Sequence, residues 1–147
     1  MARRMVRVAA EAGADLVKFQ TFTAQALVSA AAPKAEYQMR TTPAAESQLA
    51  MLQRLELNLD AHRVLMQDCR EQGIGFLSTP FDLPSVDLLA ALGLQVWKIP
   101  SGEITNLPYL RKVGALNQQV ILSTGMAELA EWPRLWKCCG RRATPLI

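Results

Sequence analysis

The sequence predicts an α/β fold in which helices alternate with parallel strands, and three observations carry that expectation. Apolar runs such as Val120-Ile121-Leu122 are continuous rather than alternating, as in parallel strands buried on both faces. These runs are separated by stretches of helical period that end in glycine, so strand, turn and helix recur in order. The strand ends at Ser78, Ile99 and Leu122 are spaced by 21 and 23 residues, a short period that suits the repeating unit of a (β/α)8 TIM barrel. A doubly wound open sheet is the alternative. About four strands are visible, around Lys18, Phe76, Trp97 and Ile121, which makes the expected fold a partial barrel.

In residues 2–12, Met5, Val8, Ala9 and Ala12 recur at helical spacing, and Gly13 stands where a helix C-terminus favours glycine. Leu16-Val17-Lys18-Phe19-Gln20 is a short β-prone run that places Lys18 and Gln20 on one face and Val17 and Phe19 on the other. The mixed stretch 21–43 is expected to be a loop carrying at most one short helix. Residues 46–57 form a predicted helix, and the Leu and Met stripe from Leu49 to Leu59 is expected in the core. Asp60 is the expected N-cap of a further helix ending near Gly73, with His62 in its first turn as a solvated or cap-related side chain. Next come a strand and turn over 73–81, a helix over 84–92 closed by Gly93, and a strand and turn over 94–103. A short helix over 108–116 and a strand over 119–126 complete the pattern, with Trp97 and Tyr109 expected to pack.

Composition narrows the function. The chain has 147 residues, 50% hydrophobic and 20% charged, within the range of one globular domain. A net charge of +3 with scattered Lys and Arg, apart from Arg3, Arg4, Arg7 and the pair Arg141 and Arg142, argues against nucleic-acid binding. No apolar run approaches the roughly 20 residues of a membrane span, and the N-terminus makes a poor signal peptide, so the expected location is cytoplasmic. Cys69, Cys138 and Cys139 form no C-x-x-C pair and are expected as reduced thiols.

The chemistry collects where parallel strands end, because the loops there converge on one mouth. All four strands end in polar residues: Lys18 and Gln20, Ser78-Thr79, Lys98 with Ser101-Gly102-Glu103, and Ser123-Thr124-Gly125. Each alone is compatible with a solvated lysine, a turn or a helix cap. Together, two lysines and three hydroxyl-and-glycine turns suit a phosphate or a carboxylate.

Six segments, "GADLVKFQTF", "KAEYQ", "ESQLAMLQRLEL", "FLSTPFD", "KIPSGEITNLPYL" and "VILSTGM", resemble in this order the sialic acid synthase family, the N-acetylneuraminate synthases that include legionaminic acid synthases. The resemblance covers residues 9–129. It implies a (β/α)8 barrel followed by a small C-terminal antifreeze-like domain that completes the neighbouring subunit's site in a homodimer. It also implies condensation of phosphoenolpyruvate with N-acetylmannosamine or a related acylated amino sugar, giving a nonulosonic acid and phosphate. By the same resemblance, Lys18, Lys98, Ser101 and Ser123 match positions that hold the phosphoenolpyruvate carboxylate and phosphate. Gln20 and Thr79 match neighbouring active-site positions, and Glu103 matches an acidic residue for proton handling. Lys98 and Glu103 are therefore the expected catalytic residues. Another phosphoenolpyruvate-condensing barrel, such as a 3-deoxy-heptulosonate phosphate synthase, is the alternative enzyme.

The resemblance further implies a divalent metal, manganese or magnesium, held by two histidines on later strands, and a first strand with an E-A-G-x-N-H-N-G motif. Neither segment is in this sequence, whose single histidine is His62, so no metal ligand is expected here. The expected organisation is a partial synthase barrel over 1–129 and an atypical tail over 130–147, in an incomplete chain. Non-catalytic anion binding, or pairing with a complete homologue through open barrel edges, are the other functional expectations. The tail has a Trp-Pro breaker, paired cysteines and paired arginines where an amphipathic helix is expected, which predicts a frameshift near 130–132. Translating the following DNA in the other two frames checks this: the histidine-bearing strands should appear in one of them, and their absence from both refutes it.

Overall fold

The computed structural model describes residues 1–125, 127, 128, 130 and 143–146. The chain begins with α1 (Ala2–Glu11) and β1 (Leu16–Thr21), then runs through three short helices, α2 (Ala24–Leu27), α3 (Glu36–Met39) and α4 (Gln48–Gln53). There follow α5 (Leu59–Glu71), β2 (Gly75–Pro80), α6 (Leu83–Ala91) and β3 (Val96–Ile99). A 3-10 turn (Ser101–Glu103), α7 (Leu107–Ala115), β4 (Gln119–Ser123) and β5 (Ala143–Leu146) complete it.

All strand pairs are parallel: β1 with β2, β3 with β4, and β4 with β5. β2 lies beside β3 without a ladder between them. The strands thus follow one another in chain order, which is the order of a barrel. A doubly wound sheet would reverse direction at a switch point, so that alternative is set aside.

Local chemistry fixes the helix boundaries. Ser47, Asn58, Asp82 and Asn106 each accept a backbone N–H from three residues on, closing the first turns of α4, α5, α6 and α7. At the other ends, Gly13 and Gly93 have φ of +76° and +81°, the left-handed region that a side chain disfavours.

Among the described residues, two clusters form the core. One joins Val6 of α1, Val17 and Phe19 of β1, and Leu65 and Cys69 of α5. The other joins Val86 and Leu89 of α6, Trp97 and Ile99 of β3, Tyr109, Leu110 and Val113 of α7, and Val120 and Leu122 of β4. Each buried aliphatic side chain contributes about 1.5–3 kcal/mol from lost apolar exposure. Phe76 packs against both clusters and stacks on Phe19 at 5.6 Å. Tyr109 also donates its hydroxyl to the Pro80 carbonyl at 2.8 Å, tying α7 to the end of β2. Trp97 and Tyr109 are packing residues, as expected. Cys69 is a buried free thiol whose pKa burial pushes up, while Cys138 and Cys139 lie outside the described residues.

Several expectations change. The stretch 21–43 holds two short helices, not one. The helix expected over 46–57 is confined to Gln48–Gln53: past it, Glu56 turns back to accept the Ala24 N–H at 2.6 Å, and Asn58, not Asp60, caps the next helix. In consequence only Met51 of the Leu and Met stripe is fully buried, and Leu55 and Leu59 are exposed. His62 is buried, not solvated, and is cap-related in that its Nδ1 bonds the carbonyl of Asn58, the N-cap. A fifth strand, β5, joins the four expected, and residues 131–142 of the predicted tail lie outside the described residues. No helix among the described residues is long and apolar enough to cross a membrane.

On the outer layer, Arg3 of α1 donates to both carboxylate oxygens of Asp68 on α5, at 2.6 and 2.8 Å. The Arg3 hydrogen bonds hold the Asp68 carboxyl below its ordinary pKa, against the opposing effect of burial. A carboxyl depressed in the folded state stabilises the fold above its unfolded pKa, and the contribution is lost as pH falls through the folded value. Asp68→Asn should therefore have a lower urea midpoint than the parent at neutral pH, with the gap closing as pH falls from about 5 toward 2. A gap independent of pH would show that the ion pair adds nothing.

Candidate active site

The alternation of β1 is strict: Val17, Phe19 and Thr21 are buried against the helices, while Lys18 and Gln20 stand on the open face. Register carries this across the sheet. Lys18 is opposite Leu77 and Gln20 opposite Thr79, so Thr79 faces the same side as both. In the second ladder, Trp97 opposite Val120 and Ile99 opposite Leu122 are buried, which turns Lys98 and Ser123 to the open face.

Lys98 Nζ donates to Ser123 Oγ and, at 3.0 Å, to the Ile99 carbonyl. An ammonium has three donors, so one remains for a ligand. Among the described residues no carboxylate lies within ion-pair distance of Lys98 or Lys18. Burial pushes the Lys98 pKa down, and the like charge of Lys18 pushes it further. Two cations on one face with a hydroxyl and no counter-charge are arranged to attract an anion.

Thr79 adds a further polar group. Its side chain is buried, and its Oγ1 has no hydrogen-bond partner among the described residues. Gln20 is exposed and lines two clefts: one of about 530 Å³ that includes Lys18, Arg54 and Leu55, and one of about 610 Å³ that includes Tyr37, Gln38 and Thr41. Ser101 and Glu103 lie half-buried in the 3-10 turn after β3. Glu103 Oε2 accepts from Asn106 Nδ2 at 2.7 Å, and Asn106 in turn caps α7, so the carboxylate is oriented by the helix that follows.

Lys18, Lys98 and Ser123 therefore come together, with Gln20 and Thr79 on the same face. Ser78, grouped with Thr79 in the sequence, does not join them. It sits opposite Phe19 and so points to the helix layer, where it bonds Thr21 Oγ1 at 2.7 Å. Sequence reasoning missed Thr21 and His62, which meet there at 2.7 Å. A signal existed: His62, Leu65 and Cys69 are spaced by three and four residues, the buried stripe of α5.

His62 is unsuited to metal binding. Its Nδ1 is bonded to the Asn58 carbonyl at 2.8 Å and its Nε2 to Thr21. Among the described residues no three His, Cys, Asp or Glu side chains are grouped to hold a metal ion. The described residues do not fit a metal centre, and no chemical step is assigned through one.

Known proteins share the sequence and the fold of this chain. The chain is 57% identical over 131 residues to the N,N'-diacetyllegionaminic acid synthase of Campylobacter jejuni, covering 89% of this chain and 39% of that protein. It is 47% identical over 131 residues to the enzyme of the same name from Legionella pneumophila, covering 89% and 37%. The solved N-acetylneuraminic acid (sialic acid) synthetase of Leptospira borgpetersenii, in complex with citrate, superposes with a TM-score of 0.75 at 25% identity, over 96% of this chain and 45% of that one. The chain thus spans about two fifths of the length of the curated relatives it matches. The NeuB family pattern matches residues 5–145, and the chain belongs to the NeuB family.

Proposed function

We propose that this chain carries the phosphoenolpyruvate-recognising face of a nonulosonic acid synthase, and that the whole protein condenses phosphoenolpyruvate with an acylated amino sugar. The single observation behind this reading is the half-buried Lys98, bonded to Ser123, beside Lys18 and without a carboxylate partner among the described residues. In the reaction, C3 of phosphoenolpyruvate attacks the aldehyde carbon of the open-chain sugar. Water adds at C2, and phosphate leaves with cleavage of the C–O bond. Phosphoenolpyruvate, sugar and water are consumed; nonulosonate and phosphate are formed.

Lys18, Lys98, Ser101 and Ser123 hold the carboxylate and phosphate in this scheme, and preorganised cations stabilise charge as it develops. Gln20 and Thr79 contact the reacting end, and Glu103, oriented by Asn106, handles the proton. The clefts beside Gln20 offer room for the sugar. A nine-carbon product less the three carbons of phosphoenolpyruvate leaves a six-carbon sugar. The 57% identity to a diacetyllegionaminic acid synthase favours one with two acetamido groups over N-acetylmannosamine. A divalent metal, manganese or magnesium, would draw its ligands from outside the described residues. Pairing of two whole proteins, each completing the other's site, belongs to the same reading.

Phosphate release from phosphoenolpyruvate tests the reaction. It is expected only when the diacetamido sugar and manganese are both present in the whole protein; release without sugar would contradict the assignment.

Lys98 sets the pH dependence of binding. An anion favours charged Lys98, so the pKa is lower free than bound. Affinity is full below the free value and falls as pH rises through it, one proton being taken up per ligand bound. Calorimetry with phosphoenolpyruvate in buffers of different ionisation enthalpy should detect that uptake on the alkaline side. Lys98→Met should weaken binding roughly 10- to 100-fold, the worth of a charged hydrogen bond, and remove the uptake. An unchanged affinity would sink the anion site.

A further inference from the structure

Behind Gln20 and Thr79 runs a buried line of hydrogen bonds that the condensation chemistry does not use. Thr21, His62 and Ser78 are 3%, 0% and 0% exposed. Thr21 Oγ1 lies 2.7 Å from His62 Nε2 and 2.7 Å from Ser78 Oγ, and His62 Nδ1 lies 2.8 Å from the Asn58 carbonyl.

The donors can be assigned from one fixed point. A carbonyl only accepts, so His62 Nδ1–H donates to Asn58. In the neutral ring Nε2 then accepts, so the Thr21 hydroxyl donates to it. The Thr21 oxygen is left to accept the proton of Ser78. Each hydroxyl has one hydrogen, so with a neutral ring the direction follows along the whole line.

Its ends lie on different layers. Asn58 caps α5, Thr21 is the last residue of β1, and Ser78 lies on β2 opposite Phe19. On the other side of these two strands, one residue away, stand Gln20 and Thr79. Apolar patterning forbids a one-residue slip between β1 and β2 because every side chain would change face, but a two-residue slip keeps the faces. A line linking Thr21 to both Ser78 and His62 distinguishes even that slip, since breaking it leaves buried polar groups unpaired.

We propose that Thr21, His62 and Ser78 are positioning residues: anchored on the start of α5, they hold the ends of β1 and β2 so that Gln20 and Thr79 stand side by side at the mouth. Phosphoenolpyruvate as the probe rests on the function proposed above; the clamp does not.

Hydrogen exchange over 16–22 and 75–81, with phosphoenolpyruvate titration of the same samples, tests the clamp in the parent, Thr21→Val, His62→Phe and Thr21→Ser. Urea midpoints establish that each is folded. Thr21→Val and His62→Phe should speed exchange in these two segments by at least about tenfold more than in the rest of the chain, since each removes two hydrogen bonds of the line. They should also weaken phosphoenolpyruvate binding by about tenfold. Thr21→Ser, which keeps the hydroxyl, should restore both. Uniform loosening overturns the proposal, and so does selective loosening with unchanged affinity. If the parent does not bind phosphoenolpyruvate, the proposed function fails and the exchange pattern alone decides the clamp. Should Thr21→Val not fold, Ser78→Ala removes only the terminal donor; a smaller but still selective effect is expected, and none overturns the proposal.

Discussion

Because side chains alternate between the two faces of a strand, the parallel pairing of β1 with β2 settles two properties together: what the core contains and what the mouth presents. Phe19 and Ser78 go to the helices in the same step that turns Gln20 and Thr79 to the open side. The β3–β4 ladder repeats this, with Trp97, Ile99, Val120 and Leu122 inside and Lys98 and Ser123 facing out. Shifting one strand by a single residue would expose Phe19 or Trp97 and drive Lys18 or Lys98 among Leu65 or Leu110. An unpaired buried charge costs several kcal/mol, so the lysines enforce the register that displays them.

The distribution of counter-charge supports the division between faces. On the outside, cations find carboxylates: Lys112 with Asp87 at 2.6 Å, Arg54 with Glu46 at 2.8 Å, and Arg3 with Asp68 at 2.6 Å. Exposed pairs such as Lys112 with Asp87 add little to stability individually, whereas Asp68 is itself buried. At the mouth the pattern reverses: burial and a neighbouring lysine push the Lys98 pKa down, and its partners among the described residues are neutral oxygens. A depressed lysine pKa is a destabilisation of the charged state that an anion relieves when it binds. Cost to the empty fold and affinity for the ligand are the same interaction read in two directions.

What was legible in the sequence followed from period and position. The two-residue alternation around Lys18, the glycines at 13 and 93, and the polar residues at each strand end required no knowledge of tertiary contacts. Ser78 was misplaced for a definite reason: which of two adjacent hydroxyls faces the mouth depends on register with β1, and register belongs to a pair of strands. The segment from Phe22 to Ser47 resisted reading because α2 and α3 have four residues each, too short for a helical period to appear. His62 was overlooked because a polar side chain in a first turn looks like a cap, although its spacing to Leu65 and Cys69 put it on the buried stripe.

The two faces also differ in how they tolerate change. A TM-score of 0.75 at 25% identity means that this arrangement survives replacement of three quarters of its residues. The helix-facing side permits this, because a core needs apolar side chains of suitable total volume more than particular ones. The open side is chemically more demanding: the Lys98 ammonium donates to Ser123 Oγ and to the Ile99 carbonyl, which a neutral apolar group of equal volume cannot do, and a methyl in place of the Ser123 hydroxyl would accept nothing. Between them lies the Thr21–His62–Ser78 line, buried like the core yet demanding in its chemistry like the mouth. Replacing Val113 by another aliphatic residue alters packing alone, whereas a change at Thr21 reaches Gln20 and Thr79 through the strands that carry them.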